Sequence, residues 1–218
     1  MSNSTPFTPP DWSLVPNHTA IILIDLQNDV LANDGWYAKS GVDITHMQRV
    51  IEPTKKLLAG AREKSVPVIW TTHGLHNEID AGVFWDTRPF LHGGGFRVGS
   101  WGHGVYDEYE VLPDEWLVDK RRLSAFFNTE LETIMRALAI ETVMVSGVLT
   151  NQCVAGTIKD AMYRDYKTIM IEDCCGTTVP DLHEPAVKMC EMGWGAVWSL
   201  ETALDGLKQL PIPSTQVA

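Results

Sequence analysis

The chain alternates short, nearly uninterrupted apolar runs with segments whose apolar residues recur every three to four positions. Residues 20–26, AIILIDL, are apolar until an acid appears near the end, the pattern of a parallel strand buried on both faces. Residues 47–63 then carry Val50, Ile51, Leu57, Leu58 and Ala61 at helical spacing, with Pro53 acceptable only near the first turn. VPVIWTT reads as a second strand and WLVDK as a third. Asn128 is placed to cap a helix bearing Leu131, Ile134, Met135 and Leu138 on one face, with Phe127 as its staple residue. The strand TVMVSGV, a helix over 150–166, the strand TIMIED, a helix over 185–192, the strand AVWSL and an amphipathic segment through Leu207 complete the alternation. Repeated strand–helix units of this kind predict a doubly wound, mainly parallel α/β sheet with helices on both faces, a Rossmann-like three-layer arrangement.

Two stretches escape the pattern. Residues 1–19 are rich in Pro, Ser and Thr, and Pro6, Pro9, Pro10 and Pro16 cannot donate to a ladder, so an irregular arm is expected there. Residues 74–113 are rich in glycine and aromatics without periodicity, and so long a connection in a compact domain is expected to wall a site. The boundaries predicted are an arm over 1–19, one domain over 20–210 and a tail over 211–218.

Composition narrows the functional classes. At 218 residues and 44% hydrophobic, the chain suits a single well-buried domain. Lys and Arg number 17 against 28 acids, a net charge of -11 that opposes binding to nucleic acid or anionic membranes and favours a small-molecule substrate. No run approaches the roughly 18 apolar residues of a membrane span, and the start MSNSTPFTPPDW lacks an export signal, so a cytoplasmic location is expected. The four cysteines, Cys153, Cys174, Cys175 and Cys190, include an adjacent pair and no Cys-x-x-Cys spacing, which suits free thiols. GWGAV at Gly193 precedes a strand and lacks the third glycine of a dinucleotide fingerprint, so no such cofactor is expected.

Three residues carry candidate chemistry. Cys153 follows an apolar strand and enters the first turn of a helix, where free N–H groups and the helix dipole favour a thiolate; the alternative is a small core hydrophobe. Asp25 ends a strand of isoleucines and leucines, where a carboxylate is costly unless paired or used, although it also reads as a turn residue. Lys120 ends WLVDK and is either a solvated lysine or a site cation, and its neighbour Asp119 competes with Asp25 for an acid or base role. In a doubly wound sheet all of these strand ends open on one edge, where they can converge.

At this point the sequence resembles the isochorismatase-like cysteine hydrolase superfamily, which contains nicotinamidase, N-carbamoylsarcosine amidase, ureidoacrylate amidohydrolase and biuret hydrolase. IILIDLQND is similar to the segment bearing the family's catalytic acid, VDKRRLSAFFNTELETIMR to that bearing its lysine, and SGVLTNQCVAGTIKDA to that bearing its nucleophile. The resemblance implies catalytic roles for Asp25, Lys120 and Cys153, a cis peptide between Val148 and Leu149, and an oxyanion hole formed by the Leu149 and Cys153 N–H groups. It further implies cleavage of a small amide or ureide through a thioester without a cofactor, and a homo-oligomer, dimer or tetramer. RLSAFFNTELETIMR and EDCCGTT are similar to the branch that cleaves ureides such as ureidoacrylate, biuret or triuret. Nicotinamidases carry an Asp-x-His metal pair after the second strand, but this chain has Thr71 at the Asp position. No metal is therefore expected, and His73 is a substrate-facing candidate; the competing reading is a metal-assisted hydrolase using His73 and His76 with His92 or His103 as a further ligand. Val30, where the family often has Phe, together with Trp36, Trp85, Trp101, Phe126 and Phe127, are the further candidates for the pocket wall.

Overall fold

The computed structural model describes residues 7–212. Six strands, β1 (Thr19–Ile24), β2 (Val68–His73), β3 (Trp116–Lys120), β4 (Thr142–Val148), β5 (Lys167–Gly176) and β6 (Ala196–Trp198), form one parallel sheet in the order β3-β2-β1-β4-β5-β6. β1 lies at the centre because every one of its residues is buried. Ile21 and Leu23 face one apolar layer and Ala20, Ile22 and Ile24 the other, as the two-residue period of a strand requires. Each large side chain buried there contributes about 1.5–3 kcal/mol of transfer free energy.

The helices divide accordingly. The layer with Ile21 and Leu23 receives α1 (Ile51–Glu63) and α5 (Leu200–Gln209) through Leu57, Leu58, Ala203 and Leu207. The opposite layer receives α2 (Leu131–Ala137), α3 (Ala155–Met162) and α4 (His183–Gly193) through Leu131, Ile134, Ile158, Val187 and Cys190. This is the three-layer doubly wound arrangement expected from the alternation. After β3 the chain returns to the far side of β1, so the crevice beyond the carboxyl ends of β1 and β4 is the topological switch point.

Several local expectations differ from the structure, each for a physical reason. The first strand stops at Ile24 because Asp25 adopts a left-handed φ of 52°, which breaks the ladder. Asn128 is also left-handed, at φ 53°, and does not cap α2; Thr129 Oγ1 accepts from the Leu131 N–H instead. The helix expected over 150–166 begins with a wider π turn, Thr150–Val154, before α3. The helix expected over 47–63 is split into Thr45–Gln48 and α1. The 74–113 segment contains two single-turn helices, Glu78–Ala81 and Val83–Asp86. Within the expected arm, Leu14 is buried against the α5 layer, while residues 1–6 and 213–218 lie outside the described residues.

Gly147 sets the approach of β4 to β1. Its φ is 118°, and a Cβ there would lie 2.2 Å from the Ile24 carbonyl oxygen, immediately before Asp25. Gly147→Ala is therefore expected to destabilise the fold by about 1–3 kcal/mol from backbone strain alone, with the clash adding to this. Urea unfolding measures the loss, and an unchanged midpoint would contradict the assigned approach of the two strands.

Candidate active site

Four neighbouring strand ends supply the site. Lys120 closes β3 in register with His73 at the end of β2; Asp25 follows β1, and Cys153 lies in the π turn after β4. The Lys120 side chain is fully buried, and its Nζ contacts Asp25 Oδ2 at 2.8 Å, the Arg122 carbonyl at 3.0 Å, His73 Nδ1 at 3.3 Å and Cys153 Sγ at 3.4 Å. Burial pulls this ammonium toward neutrality, but attraction to the Asp25 carboxylate prevails and its pKa lies above the ordinary lysine value. The other Asp25 oxygen, Oδ1, accepts from Thr71 Oγ1 at 2.7 Å. Thr71, notable in the sequence only for replacing a metal-binding acid, is thus a partner of the buried carboxylate.

The thiol behaves differently from its sequence expectation. Burial pushes the Cys153 pKa up to about 12, Lys120 lowers it less, and Asp25 raises it further. Cys153 is therefore a neutral thiol at rest; dehydration outweighs the helix-end field that favours a thiolate.

Asp25, His73 and Cys153 offer donor atoms within 4.8 Å of one another, a spacing that a metal ion would accept. The Lys120 ammonium already lies within 3.4 Å of all three, and its charge repels a second cation from that position. His73 Nδ1 must accept, because an ammonium only donates, so the neutral ring carries its proton on Nε2. Its pKa is held well below the ordinary histidine value by burial and by Lys120. The Nε2 atom is buried without a partner among the described residues. His76, His92 and His103 are engaged elsewhere, by Arg121, the Trp85 carbonyl and Asp119 respectively. Asp119 points away from Lys120 toward Thr72, His103 and Arg121, as strand alternation demands.

A small pocket, partly open to solvent, lies over Cys153. Val30 and His73 line it, together with Tyr37, Phe84, Arg88, Phe96 and Gln152, which the sequence did not single out. Trp36, Trp101, Phe126 and Phe127 do not. Trp36 supports the wall from behind, donating from Nε1 to the Phe90 carbonyl beside Gly93–Gly95. Trp101 is exposed and bonded to Asp107, Phe126 stacks on Tyr166 in the core, and Phe127 is half exposed. Hydrophobicity alone does not distinguish these fates.

The remainder of the first motif holds the wall in place. Gln27 bonds the His73 backbone in both directions and the His103 carbonyl, and Asn28 reaches the Trp101 carbonyl and Asp107. Asp29 accepts from the amides of Trp36 and Phe96. Phe96 in turn stacks on His73 at 5.3 Å, with Phe84 on His73 at 4.8 Å.

The peptide joining Val148 to Leu149 is cis, and the Leu149 N–H has no hydrogen-bond partner among the described residues. Behind this turn, Arg49 Nη2 donates to His183 Nε2 at 2.9 Å, so neutral His183 presents its Nδ1–H to Thr150 Oγ1 at 3.0 Å.

A parallel sheet of this order, with a carboxylate, an ammonium and a thiol gathered beyond its switch point, defines an α/β protein of the cysteine hydrolase class. The Isochorismatase domain family model matches residues 19–202. Ureidoacrylate amidohydrolase RutB of Agrobacterium fabrum (strain C58) is 31% identical over 195 residues, covering 83% of this chain and 86% of the relative. The protein of the same name from Cronobacter turicensis is 29% identical over 214 residues, covering 91% and 92%. A cysteine hydrolase from Pseudomonas syringae pv. phaseolicola superposes with a TM-score of 0.85 at 25% identity, covering 94% of this chain and 98% of that one. The N-carbamoylsarcosine amidase of Thermoplasma acidophilum shares the fold, with a TM-score of 0.69 at 22% identity over 84% and 96% of the two chains. The chain belongs to the isochorismatase family and is a hydrolase.

The buried His183 yields a pH dependence. Its pKa falls from 6.5 to about 4 through burial and the adjoining Arg49 and His46, so below 6.5 the unfolded chain binds a proton that the fold refuses. Stability should fall as pH drops from 6.5 toward 4, with His46, also lowered, acting in the same sense. His183→Gln is expected to flatten this part of the stability profile, measured by urea unfolding at stepped pH, and an unaltered slope would refute the assignment.

Proposed function

We propose that this chain is a cysteine-dependent amidohydrolase that cleaves a C–N bond of a small amide or ureide, of the ureidoacrylate or biuret/triuret type, through a thioester. The observation that carries the reading is the buried Lys120 ammonium, 2.8 Å from Asp25 and 3.4 Å from Cys153 at the floor of a cavity. The relatives named ureidoacrylate amidohydrolase support the ureide branch.

Because the resting thiol is neutral, deprotonation and attack belong together. Asp25, whose carboxylate lies within 4.8 Å of the thiol, takes its proton as sulfur attacks the carbonyl carbon, and Lys120 balances the negative charge passed between them. The oxygen of the tetrahedral intermediate is held by the N–H groups of Leu149 and Cys153; the unpartnered Leu149 N–H supports this role. The C–N bond then breaks, the departing nitrogen takes the proton from Asp25, and ammonia or an amine leaves. Water attacks the thioester, gives its proton through Asp25 to sulfur, and restores the thiol. Every step uses groups of this chain and water. Val30 and His73 face the substrate.

N-carbamoyl amino acids and nicotinamide-type amides are the competing substrates, and a binding protein without turnover is the competing class. Free, buried cysteines agree with a reducing cytoplasm. The exposed Trp116 and Leu117 on the edge strand agree with a dimer or tetramer. No helix among the described residues is long and apolar enough to cross a membrane.

Cys153→Ser should lower turnover by about 10³-fold or more while leaving the melting temperature near that of the parent, because the alkoxide is far harder to form than the thiolate. Ammonia release from ureidoacrylate, biuret and N-carbamoyl amino acids measures it, and near-normal turnover in the folded variant would sink the mechanism. The base assignment has its own test in pre-steady-state ammonia release. Asp25→Asn should abolish the burst, whereas Asp119→Asn, whose carboxylate serves His103 and Arg121, should retain it. The reverse pattern would overturn the base assignment.

A further inference from the structure

The cavity carries one positive charge that nothing in it balances. Asp25 and Lys120 cancel as a buried pair, while His73 and Cys153 are neutral for the reasons given above. Tyr37 is neutral as well, its pKa raised by burial. Asp29, the next buried acid, is turned behind the wall to the amides of Trp36 and Phe96 and does not line the cavity. That leaves Arg88, half-buried on the wall, with no ion pair among the described residues.

Its guanidinium is held in a defined plane. It lies over the Phe84 ring at 5.0 Å, while Nη1 donates to the Thr87 carbonyl and Nη2 to Gln152 Oε1, each at 2.8 Å. Two of its five N–H groups are thereby used. A guanidinium only donates, so Gln152 must offer Arg88 its oxygen, which leaves the carboxamide NH₂ with no partner among the described residues. Gln152 also lines the cavity, one residue before the nucleophile. A cation and a second donor group, fixed beside each other and both short of acceptors, suit a planar anion with two oxygens.

We propose that Arg88 and Gln152 form a carboxylate subsite, and that the substrate is an acidic ureide or amide whose carbonyl lies over Cys153 while its carboxylate rests on this pair. The inference rests on the amidohydrolase reading and deepens it: a neutral ureide such as biuret leaves Arg88 unbalanced, whereas a ureido acid compensates it. Arg88 is thus the residue that selects charge, and it is carried on the 74–113 segment, apart from the floor that performs the chemistry.

The test compares N-carbamoyl-β-alanine with its uncharged carboxamide on the parent enzyme, Arg88→Gln and Arg88→Lys. The parent should favour the acid by about tenfold or more in kcat/KM, and Arg88→Gln should lose about 10²-fold on the acid, mainly in KM, bringing the acid-to-amide ratio near one. Arg88→Lys should recover part of the preference. An unchanged ratio in Arg88→Gln, or equal losses on both compounds, overturns the subsite. Calorimetric binding of the same two compounds to Cys153→Ser, with and without Arg88→Gln, keeps the subsite testable if the chemistry has been misread. Tighter binding of the acid that vanishes with Arg88 supports it even if neither compound is turned over, and equal or absent binding of the two overturns it.

Discussion

The structure depends on keeping one buried ammonium satisfied. Lys120 has no exposed surface, and leaving such a charge without its partner costs about 3–5 kcal/mol. Its four acceptors come from separate segments: Asp25 after β1, His73 on β2, the Arg122 carbonyl just beyond β3, and Cys153 after β4. Satisfying it therefore requires the strand order β3-β2-β1-β4 at the carboxyl edge of the sheet. The same requirement explains why β1 ends where it does. A regular extension would point the Asp25 carboxylate into the apolar layer that holds Ile21 and Leu23, whereas its left-handed backbone turns it between Thr71 and Lys120.

Around this floor the wall is built from a different chemistry. Gln27, Asn28 and Asp29 follow the catalytic candidate within four residues, yet their side chains serve backbone groups of the segment that covers the cavity and of Trp36 behind it. Gly102 permits this closeness, since a Cβ there would lie 2.1 Å from Asp29 Oδ1. One short stretch of chain thus supplies the acid of the floor and the fastenings of the wall. The Phe84–His73–Phe96 stack joins the two, because His73 is held through Nδ1 by the buried lysine and on both ring faces by the covering segment.

Charge is distributed unevenly between these parts. The floor is a balanced pair next to a thiol kept neutral by dehydration, so under the proposed mechanism the sulfur becomes reactive only as a carbonyl accepts it. The net cation lies on the wall, where a guanidinium is planar and already oriented. An acidic chain, repelling anions as a whole, thereby retains a local place for one.

Periodicity along the chain was enough to determine the six strands, the helices between them and the doubly wound class, because each strand and helix face reads out as a local repeat of two or of three to four residues. It also placed Asp25, Lys120 and Cys153 at strand ends that can open on one edge, while their choice over Asp119 and over structural roles rested on the resemblance to a known family. What it could not supply was anything decided by contact between distant segments. The alternation in WLVDK separated Asp119 from Lys120, but only the packed sheet showed Thr71 on Asp25 and the ammonium among His73, Asp25 and Cys153. Aromatic content suggested Trp101, Phe126 and Phe127 for the cavity, whereas long-range packing assigned that place to Tyr37, Phe84, Phe96 and Arg88. The sequence determined the thiol's position at a helix entrance; tertiary burial decided its protonation, because dehydration depends on every segment that closes over the sulfur and not on the residues beside it.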